Sequence, residues 1–269
     1  MTRHATRGVA LLALLLAAGC STSSPDVGPP STNEPAPSST RTAKASAPLL
    51  VTTGCADLIV LALRGAGQAA DKNHGAGQEI LASVRAMSAD LHRKSETTIR
   101  LEGIPYRAEA APTSDFHRGN VEDGMARTRD RIAELARRCP DSRVALVGFS
   151  QGAQVVHELA ADLPAESARR IALVALIADP IRDPSDAIAS WTYGKAAPGP
   201  GKFGAGAAVD FALRDRTITF CTAGDEICNW PPGGYDGPLS DTHRHFYETS
   251  AHARSTGRQM ADLLRRSGL

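Results

Sequence analysis

The chain has 269 residues, enough for one large α/β domain or two small ones. Its 30 Lys and Arg residues nearly balance 29 Asp and Glu residues, so a net charge of +1 gives no general attraction to nucleic acid. With 42% apolar residues the chain can bury a core, which excludes a protein that is disordered throughout.

The N-terminus has the three zones of an export signal: basic residues, an apolar run over 9–18, and a small residue before Cys20. The run is shorter than the ~20 residues that a transmembrane helix needs, so we predict a signal peptide over 1–19. The letters LAAGC resemble a bacterial lipobox, which predicts that Cys20 is lipidated and holds the exported protein on a membrane. Cleavage after Ala18, giving a secreted protein without lipid, is the alternative.

Residues 20–48 are predicted to form a tether. Ser, Thr and Pro account for 17 of the 28 residues from Ser21 to Pro48, and such a composition cannot bury enough apolar surface to fold. Its prolines favour an extended conformation. We therefore expect a spacer that leads to one folded domain, residues 49–269.

Four cysteines remain in that domain, and an even number in an exported protein indicates disulfides. Cys221 and Cys228 are close in sequence and would close a small loop, so Cys55 and Cys139 pair by elimination. In the chain-entropy model the longer loop contributes roughly 4–5 kcal/mol. A metal site is a weaker interpretation, because the spacing lacks two C-x₂-C pairs.

Apolar strands alternate with amphipathic helices along the domain. Apolar runs predict buried strands at 58–63, 144–147, 171–178 and 217–220, and an alternating pattern predicts a strand at 97–101. Helical spacing of apolar residues predicts helices at 79–91, 120–138, 152–163 and 250–266. This order favours a three-layer α/β fold, with a mostly parallel central sheet flanked by helices.

The strongest local motif is a G-x-S-x-G pattern, which runs from Gly148 to Gly152 around Ser150. A predicted strand precedes it and a predicted helix follows, as in a nucleophile elbow. The two glycines leave room for a sharp turn that lifts Ser150 Oγ above the end of the strand. A plain glycine turn with Ser150 as helix N-cap is the alternative.

A serine hydroxyl needs a base, normally His, and that His needs a carboxylate to fix its tautomer. His243 and His245 come late in the chain, where a loop and the base are expected. His157 and His252 lie in predicted helices, and we expect both at the helix surface. The pair His243 and His245 could instead bind a metal with Asp241, although no further ligand is identifiable.

Asp225 is the favoured acid, because it follows strand 217–220 inside the loop between Cys221 and Cys228. A closed loop would hold its carboxylate rigidly, as an orienting residue requires. Asp179, directly after strand 171–178, is the rival acid. The neighbouring Glu226 should point elsewhere.

These motifs, taken in order, resemble the cutinase family. The resemblance rests on the elbow, the C-x₃-D-x₂-C loop, the segment Arg64-Gly65-Ala66-Gly67-Gln68, and Cys55 with Cys139. It spans residues 50–269 and implies an α/β hydrolase with two disulfides, no cofactor, and a triad of Ser150, Asp225 and a His. The family's aromatic residue three places after its His favours His243, which Phe246 follows, over His245.

The resemblance also places an oxyanion hole on the backbone N–H groups of Gln151 and Ala66. It implies a serine esterase for short-to-medium acyl, lipid or polyester substrates, and we expect a monomer. Trp191, Tyr193 and Phe203 could line an acyl groove or simply pack. The alternatives are an acetylxylan esterase, a phospholipase or thioesterase, and an inactive envelope-binding module, since Ala66 lacks the hydroxyl that many members carry there.

Overall fold

The computed structural model describes residues 50–110 and 114–269. The predicted signal peptide, Cys20 and the tether lie outside the described residues. No helix within the described ranges combines the length and apolar character that crossing a bilayer requires.

A six-stranded sheet forms the centre of the fold, and every strand pair in it is parallel. Its order is β2-β1-β3-β4-β6-β5. The strands are β1 (Leu58–Leu63), β2 (Ile99–Gly103), β3 (Arg143–Phe149), β4 (Ile171–Ile177), β5 (Ala189–Trp191) and β6 (Thr217–Phe220). All five predicted strands are present within two residues of their predicted starts. The edge strand β5 was not predicted, because three half-exposed residues carry no periodic pattern.

Within the residues that the structure describes, six α-helices accompany the sheet, which confirms the predicted α/β class. They are α1 (Gln78–His92), α2 (Ser114–Arg138), α3 (Gln151–Ala161), α4 (Ala165–Ala168), α5 (Asp241–His245) and α6 (Ser250–Arg266). Helix α2 begins six residues before its predicted start. The loop predicted around His243 is wrong, since this residue lies in the short helix α5, where its N–H donates to Ser240 Oγ at 3.0 Å.

Each face of the sheet has its own apolar core. On one face, alternate β1 residues such as Val60 pack with Val84 of α1 and Met260 of α6. On the other, residues such as Leu61 pack with side chains of α2 and α3. Because both faces are covered, the strands are buried along nearly their whole length, which explains the unbroken apolar runs.

Both predicted disulfides are present. Cys55 pairs with Cys139, 84 positions away, and Cys221 pairs with Cys228, seven positions away. The first joins the start of the domain to the segment before β3, and the second closes a small loop after β6.

Strand order brings two loops together at the carboxyl edge of the sheet. The chain moves from β1 to one side to form β2 and to the other side to form β3, so the loops after β1 and β3 face each other. A Cβ added at Gly152 would lie 1.9 Å from the Leu63 carbonyl oxygen, a backbone contact that requires glycine there. A Cβ added at Gly65 would lie 2.9 Å from Phe149 Cδ1 and 3.3 Å from Ser150 Cβ, so the loop after β1 packs closely on the turn that carries Ser150.

Candidate active site

Ser150 sits on a sharp turn between β3 and α3, with φ 54° and ψ −121°. A non-glycine residue in this conformation carries a strain of about 1–3 kcal/mol. The turn is so tight that a Cβ added at Gly148 would lie 2.2 Å from the Gly152 carbonyl oxygen, so only glycine fits there. The Ser150 N–H donates to the Ile177 carbonyl of the neighbouring strand at 2.9 Å. The strain is therefore held by the sheet itself.

A continuous hydrogen-bonded chain leads away from this serine. His243 Nε2 lies 3.1 Å from Ser150 Oγ, and His243 Nδ1 lies 3.0 Å from Asp225 Oδ1. The imidazole is buried and stacks on the Phe149 ring at a centroid distance of 5.1 Å. Helix α5 and the elbow thus fix the ring between a hydroxyl and a carboxylate.

The Asp225 carboxylate is completely buried but well supplied with donors. Besides His243, it accepts from the Ile227 N–H at 2.9 Å and from the Tyr247 hydroxyl at 2.7 Å. Burial, and then the charge of Asp225, raises the pKa of Tyr247 well above its usual value, so the phenol remains a donor. These bonds offset the cost of burying the charge. Tyr247 was missed from sequence, because nothing near it marks a partner 22 positions away.

The alternatives to His243 and Asp225 point elsewhere. His245 is exposed and bonds to Glu248 Oε1 at 2.9 Å. Glu226 turns away, as expected, and accepts from the Ser240 N–H at 2.8 Å. Among the described residues there is no group of three or more side chains that could hold a metal ion, and His243 and His245 have separate partners.

Asp179, the other candidate for the acid, pairs with His157 and not with His243, the histidine that contacts Ser150. Its Oδ2 lies 2.6 Å from His157 Nδ1, and His157 Nε2 lies 2.9 Å from the Ala207 carbonyl oxygen. The expectation that His157 is a surface residue is wrong: it is 1% exposed. The segment around Ala207 crosses α3, as shown by the Asp210 N–H donating to the Ala160 carbonyl at 3.2 Å, and covers the face on which His157 lies.

This second pair is held in its charged form. Burial alone would lower the pKa of His157, but the charge of Asp179 and hydrogen bonds to Asp179 and Ala207 outweigh it and raise the pKa. Both neighbouring atoms are acceptors, so both ring nitrogens must donate. The pair is a buried structural ion pair.

The loop after β1 leaves one N–H group without an acceptor. The Gly65 N–H donates to Gln68 Oε1 at 2.7 Å, the Gly67 N–H to the Ala108 carbonyl at 2.6 Å, and the Gln68 N–H to the Gly65 carbonyl at 3.2 Å. Between Gly65 and Gln68, all of which are described, the Ala66 N–H is the one backbone donor without a partner. Across from it, the Gln151 N–H at the start of α3 likewise meets no acceptor among the described residues.

Three side chains missed from sequence hold this loop. Arg64 is buried and donates to the carbonyl oxygens of Gln68 at 2.9 Å and Tyr106 at 2.8 Å. The Gln68 amide donates to Glu79 Oε2 at 2.7 Å. Burial raises the pKa of Glu79, a charged residue on the buried face of α1, and that unusual position was its only sequence signal.

His117 of α2 supports the elbow from the other side. Gln154 Nε2 donates to Glu158 at 2.9 Å, so Gln154 Oε1 faces His117 Nε2 at 2.8 Å and this nitrogen carries the proton. His117 Nδ1 then accepts from the Gln151 amide at 3.1 Å. The contact fixes the side chain of Gln151, the residue that follows Ser150.

The three loop aromatics have different environments. Tyr193 packs against Phe246, with ring centroids 5.0 Å apart, and donates or accepts a hydrogen bond with Thr256 Oγ1 at 2.6 Å. Trp191 lies on β5 and packs against the core. Phe203 is 54% exposed and contacts the His117 ring at a centroid distance of 5.0 Å. Of these three aromatic side chains, Phe203 is therefore the one that is largely exposed, and it lies beside the elbow.

Comparisons with known proteins agree with this geometry. Residues 54–254 match the family model described as Cutinase. The chain is 29% identical to Cutinase CUT1 of Coprinopsis cinerea over 174 residues, which cover 65% of this chain and 71% of that one. It is 27% identical to Carboxylesterase Culp1 of Mycobacterium bovis over 174 residues, covering 65% of this chain and 69% of the relative.

The fold is also similar to a solved structure, the catalytic core domain of acetyl xylan esterase from Trichoderma reesei. The TM-score is 0.59 at 17% identity, and the alignment covers 80% of this chain and 100% of that one. At this identity the likeness concerns the fold alone.

Proposed function

Because the chain belongs to the cutinase family of α/β hydrolases, we propose that Ser150, His243 and Asp225 are its catalytic residues. The protein is a serine hydrolase of carboxylic esters. The observation that carries the residue assignment is the unbroken chain of contacts from Ser150 Oγ through His243 to Asp225.

In the first step, Ser150 Oγ attacks the ester carbonyl carbon while His243 Nε2 takes the hydroxyl proton. The resulting tetrahedral intermediate collapses when His243 passes that proton to the leaving alcohol oxygen. A water molecule then attacks the acyl-enzyme with His243 again as base, releasing the acid and restoring Ser150. Asp225 holds Nδ1–H and stabilises the transient imidazolium.

The developing oxyanion is assigned to the N–H groups of Ala66 and Gln151. Support comes from the segment Gly65–Gln68, in which the Ala66 N–H alone is unoccupied, and from the elbow, in which the Ser150 N–H is bonded and the Gln151 N–H is not. Each such donor is worth about 10²–10³ in kcat. The absent hydroxyl at Ala66 leaves the backbone donor in place, so it does not favour the inactive alternative.

The substrate we propose has an acyl chain of short to medium length, as in lipid or polyester fragments. Phe203 lies beside His117 next to the elbow, and Leu239, which is 45% exposed, lies one residue before the Ser240 cap of the helix that carries His243. An exposed apolar side chain near the elbow and another next to the helix of His243 fit an alkyl chain better than an acetyl group.

We further propose that the enzyme is exported and held on a membrane through Cys20 by the tether 20–48. The lipobox-like letters and the Ser-, Thr- and Pro-rich composition support this localisation. Two disulfides in the folded domain are in keeping with an oxidising compartment. Incorporation of labelled lipid into wild type and its absence in Cys20→Ala would test the attachment.

The test of the catalytic assignment is hydrolysis of p-nitrophenyl esters by wild type and Ser150→Ala, together with covalent labelling by a fluorophosphonate. We expect labelling of wild type alone and a loss of about 10⁴–10⁶ in kcat in the variant. Labelling that persists in Ser150→Ala would show that another residue is the nucleophile.

An acyl-length series then separates the substrate classes. We expect butyrate to octanoate esters to be preferred over acetate, and Phe203→Ser to raise KM for the longer esters while leaving acetate unchanged. A preference for acetate with no effect of Phe203→Ser would favour a deacetylase of the acetylxylan esterase type.

A further inference from the structure

A cleft lined with arginines opens at the edge of the sheet opposite Ser150. It has a volume of about 880 Å³, and one carboxylate, Asp215, faces it among five guanidinium groups. The arginines are Arg143, Arg169, Arg214, Arg216 and Arg266. In a chain whose total charge nearly cancels, this concentration of one sign stands apart.

The arginines reach this place because of the chain's local order. Arg143 is the first residue of β3, Arg169 lies just before β4, and the turn from Arg214 to Arg216 leads directly into β6. Strands β3, β4 and β6 are neighbours and parallel, so these residues meet at the amino edge of the sheet. Arg266, the last residue of α6, joins them.

None of the five has an acidic partner. No Asp or Glu among the described residues lies within 4.0 Å of their guanidinium groups, whereas arginines of α2 such as Arg127 and Arg131 are paired. Arg143 makes no side-chain hydrogen bond, and its Nε is buried without a partner. Burial, and then the charge of Arg216, lowers the pKa of Arg143. Arg214 and Arg216 donate to backbone carbonyl oxygens, such as that of Ile171 at 2.6 Å, so the cleft offers an anion several guanidinium groups that have no charged partner.

An exposed aromatic side chain stands beside the cleft. Phe211 is 83% exposed, the most of any large apolar side chain among the described residues, and its ring lies 5.8 Å from Arg214 Cζ. Arginines with a neighbouring exposed aromatic ring are typical of surfaces that bind anionic lipid, because the ring enters the interface while the guanidinium groups bind phosphate. A free phosphate would give no reason for the ring.

The described residues begin at the same edge of the sheet. The Val51 N–H donates to the Ile99 carbonyl at the start of β2, and Leu58 is in register with Arg143. Leu50 and Val51 therefore lie toward the amino edge, on which the cleft opens. Ser150 lies at the far end of β3, about 20 Å away at roughly 3.3 Å per residue.

We infer that the arginine cleft and Phe211 form a docking surface for phosphate-bearing headgroups of an anionic lipid membrane. Docking there turns the catalytic edge away from the bilayer, so the ester substrate comes from outside the membrane that holds the enzyme. This orientation rests on the proposed catalytic role of Ser150, whereas vesicle binding and hydrolysis of a soluble ester are measured separately, so the two proposals can fail independently.

The first test is sedimentation of the full chain carrying Cys20→Ala, which removes the proposed lipid attachment, with phosphatidylcholine vesicles, with or without phosphatidylglycerol, at low and physiological salt. The variant Arg169→Glu/Arg266→Glu reverses two exposed arginines that make no side-chain bonds; Arg254→Glu/Arg258→Glu is the matched control, with the same charge change on an outer part of α6. We expect the cleft variant to bind phosphatidylglycerol vesicles at least about thirty-fold more weakly than wild type, and the control to stay within about three-fold. Soluble ester hydrolysis should be unchanged in both.

The second test reports which edge docks. Phe211→Trp should shift its fluorescence to shorter wavelength with phosphatidylglycerol vesicles, and Phe203→Trp, at the catalytic edge, should not. Equal loss of binding in the two double variants, a shift only at position 203, or binding to heparin without preference for phosphatidylglycerol would each overturn the inference.

Discussion

The described residues include two buried His–Asp pairs that have similar geometry but different third partners. In both, a histidine Nδ1 faces an aspartate oxygen, at 3.0 Å for His243 and 2.6 Å for His157. The difference lies at Nε2, which faces a serine hydroxyl in the first pair and a backbone carbonyl in the second. A hydroxyl can give up a proton and a carbonyl cannot, so only His243 can act as a base.

The largest effect that tests this comparison is loss of the base. His243→Ala should lower kcat by about 10⁴–10⁶, because the Ser150 hydroxyl loses its proton acceptor. His157→Ala, assayed well below its melting temperature, should keep kcat within about three-fold. Steady-state kinetics with a soluble ester checks both, and a similar loss of kcat in the two variants would remove the distinction.

The aspartates should differ in the same way. Asp225→Asn should lower kcat by about 10⁴, because the amide favours the wrong tautomer of the imidazole. Asp179→Asn should leave kcat nearly unchanged, since its histidine does not touch the reacting atoms. Matching circular dichroism spectra would show that the loss in Asp225→Asn is chemical.

His157 should instead matter for stability. Breaking a buried ion pair costs about 3–5 kcal/mol, so His157→Ala should lower Tm by roughly 6–20 °C. Because the folded-state pKa of His157 is raised, the stability that the wild type gains from it is fully present below the unfolded pKa of about 6.5. The gain is lost as pH rises through the folded-state pKa. A Tm difference that grows with pH would contradict this assignment.

The smallest expected effect on kcat comes from the hydrogen bond that Tyr247 donates to Asp225, which distinguishes this pair from the other. Tyr247→Phe removes one donor from the Asp225 carboxylate, a hydrogen bond worth about 1.5–3 kcal/mol. We expect kcat to fall about ten-fold with KM unchanged, because the carboxylate is less well held when His243 becomes charged. An unchanged kcat with a lower Tm would make Tyr247 a packing residue only.

Most features that depend on a local pattern of residues could be predicted from the sequence. The strands followed from unbroken apolar runs, and the elbow followed from glycines that only a sharp turn requires. The cysteine count and spacing predicted the pairing of Cys221 with Cys228 around Asp225. Such features have their cause within a few residues of the motif.

The misses have causes far along the chain. Burial of His157 depends on Ala207, 50 positions away, so its helix alone could not predict it. Gln68 donates to Glu79, which lies on helix α1, and one of the donors to Asp225 is Tyr247, 22 positions further along the chain. Helix α5 was missed because five residues are too few for a periodic pattern.

The two disulfides differ in access, and this sets an order of failure under reducing conditions. Cys55 is exposed, whereas Cys221 and Cys228 are both completely buried. Mild dithiothreitol should therefore reduce the Cys55–Cys139 disulfide first, which lowers Tm while ester hydrolysis continues. Only stronger reducing conditions should break the Cys221–Cys228 disulfide around Asp225 and abolish activity. Thiol trapping at successive times, with ester hydrolysis measured in the same samples, would show this order.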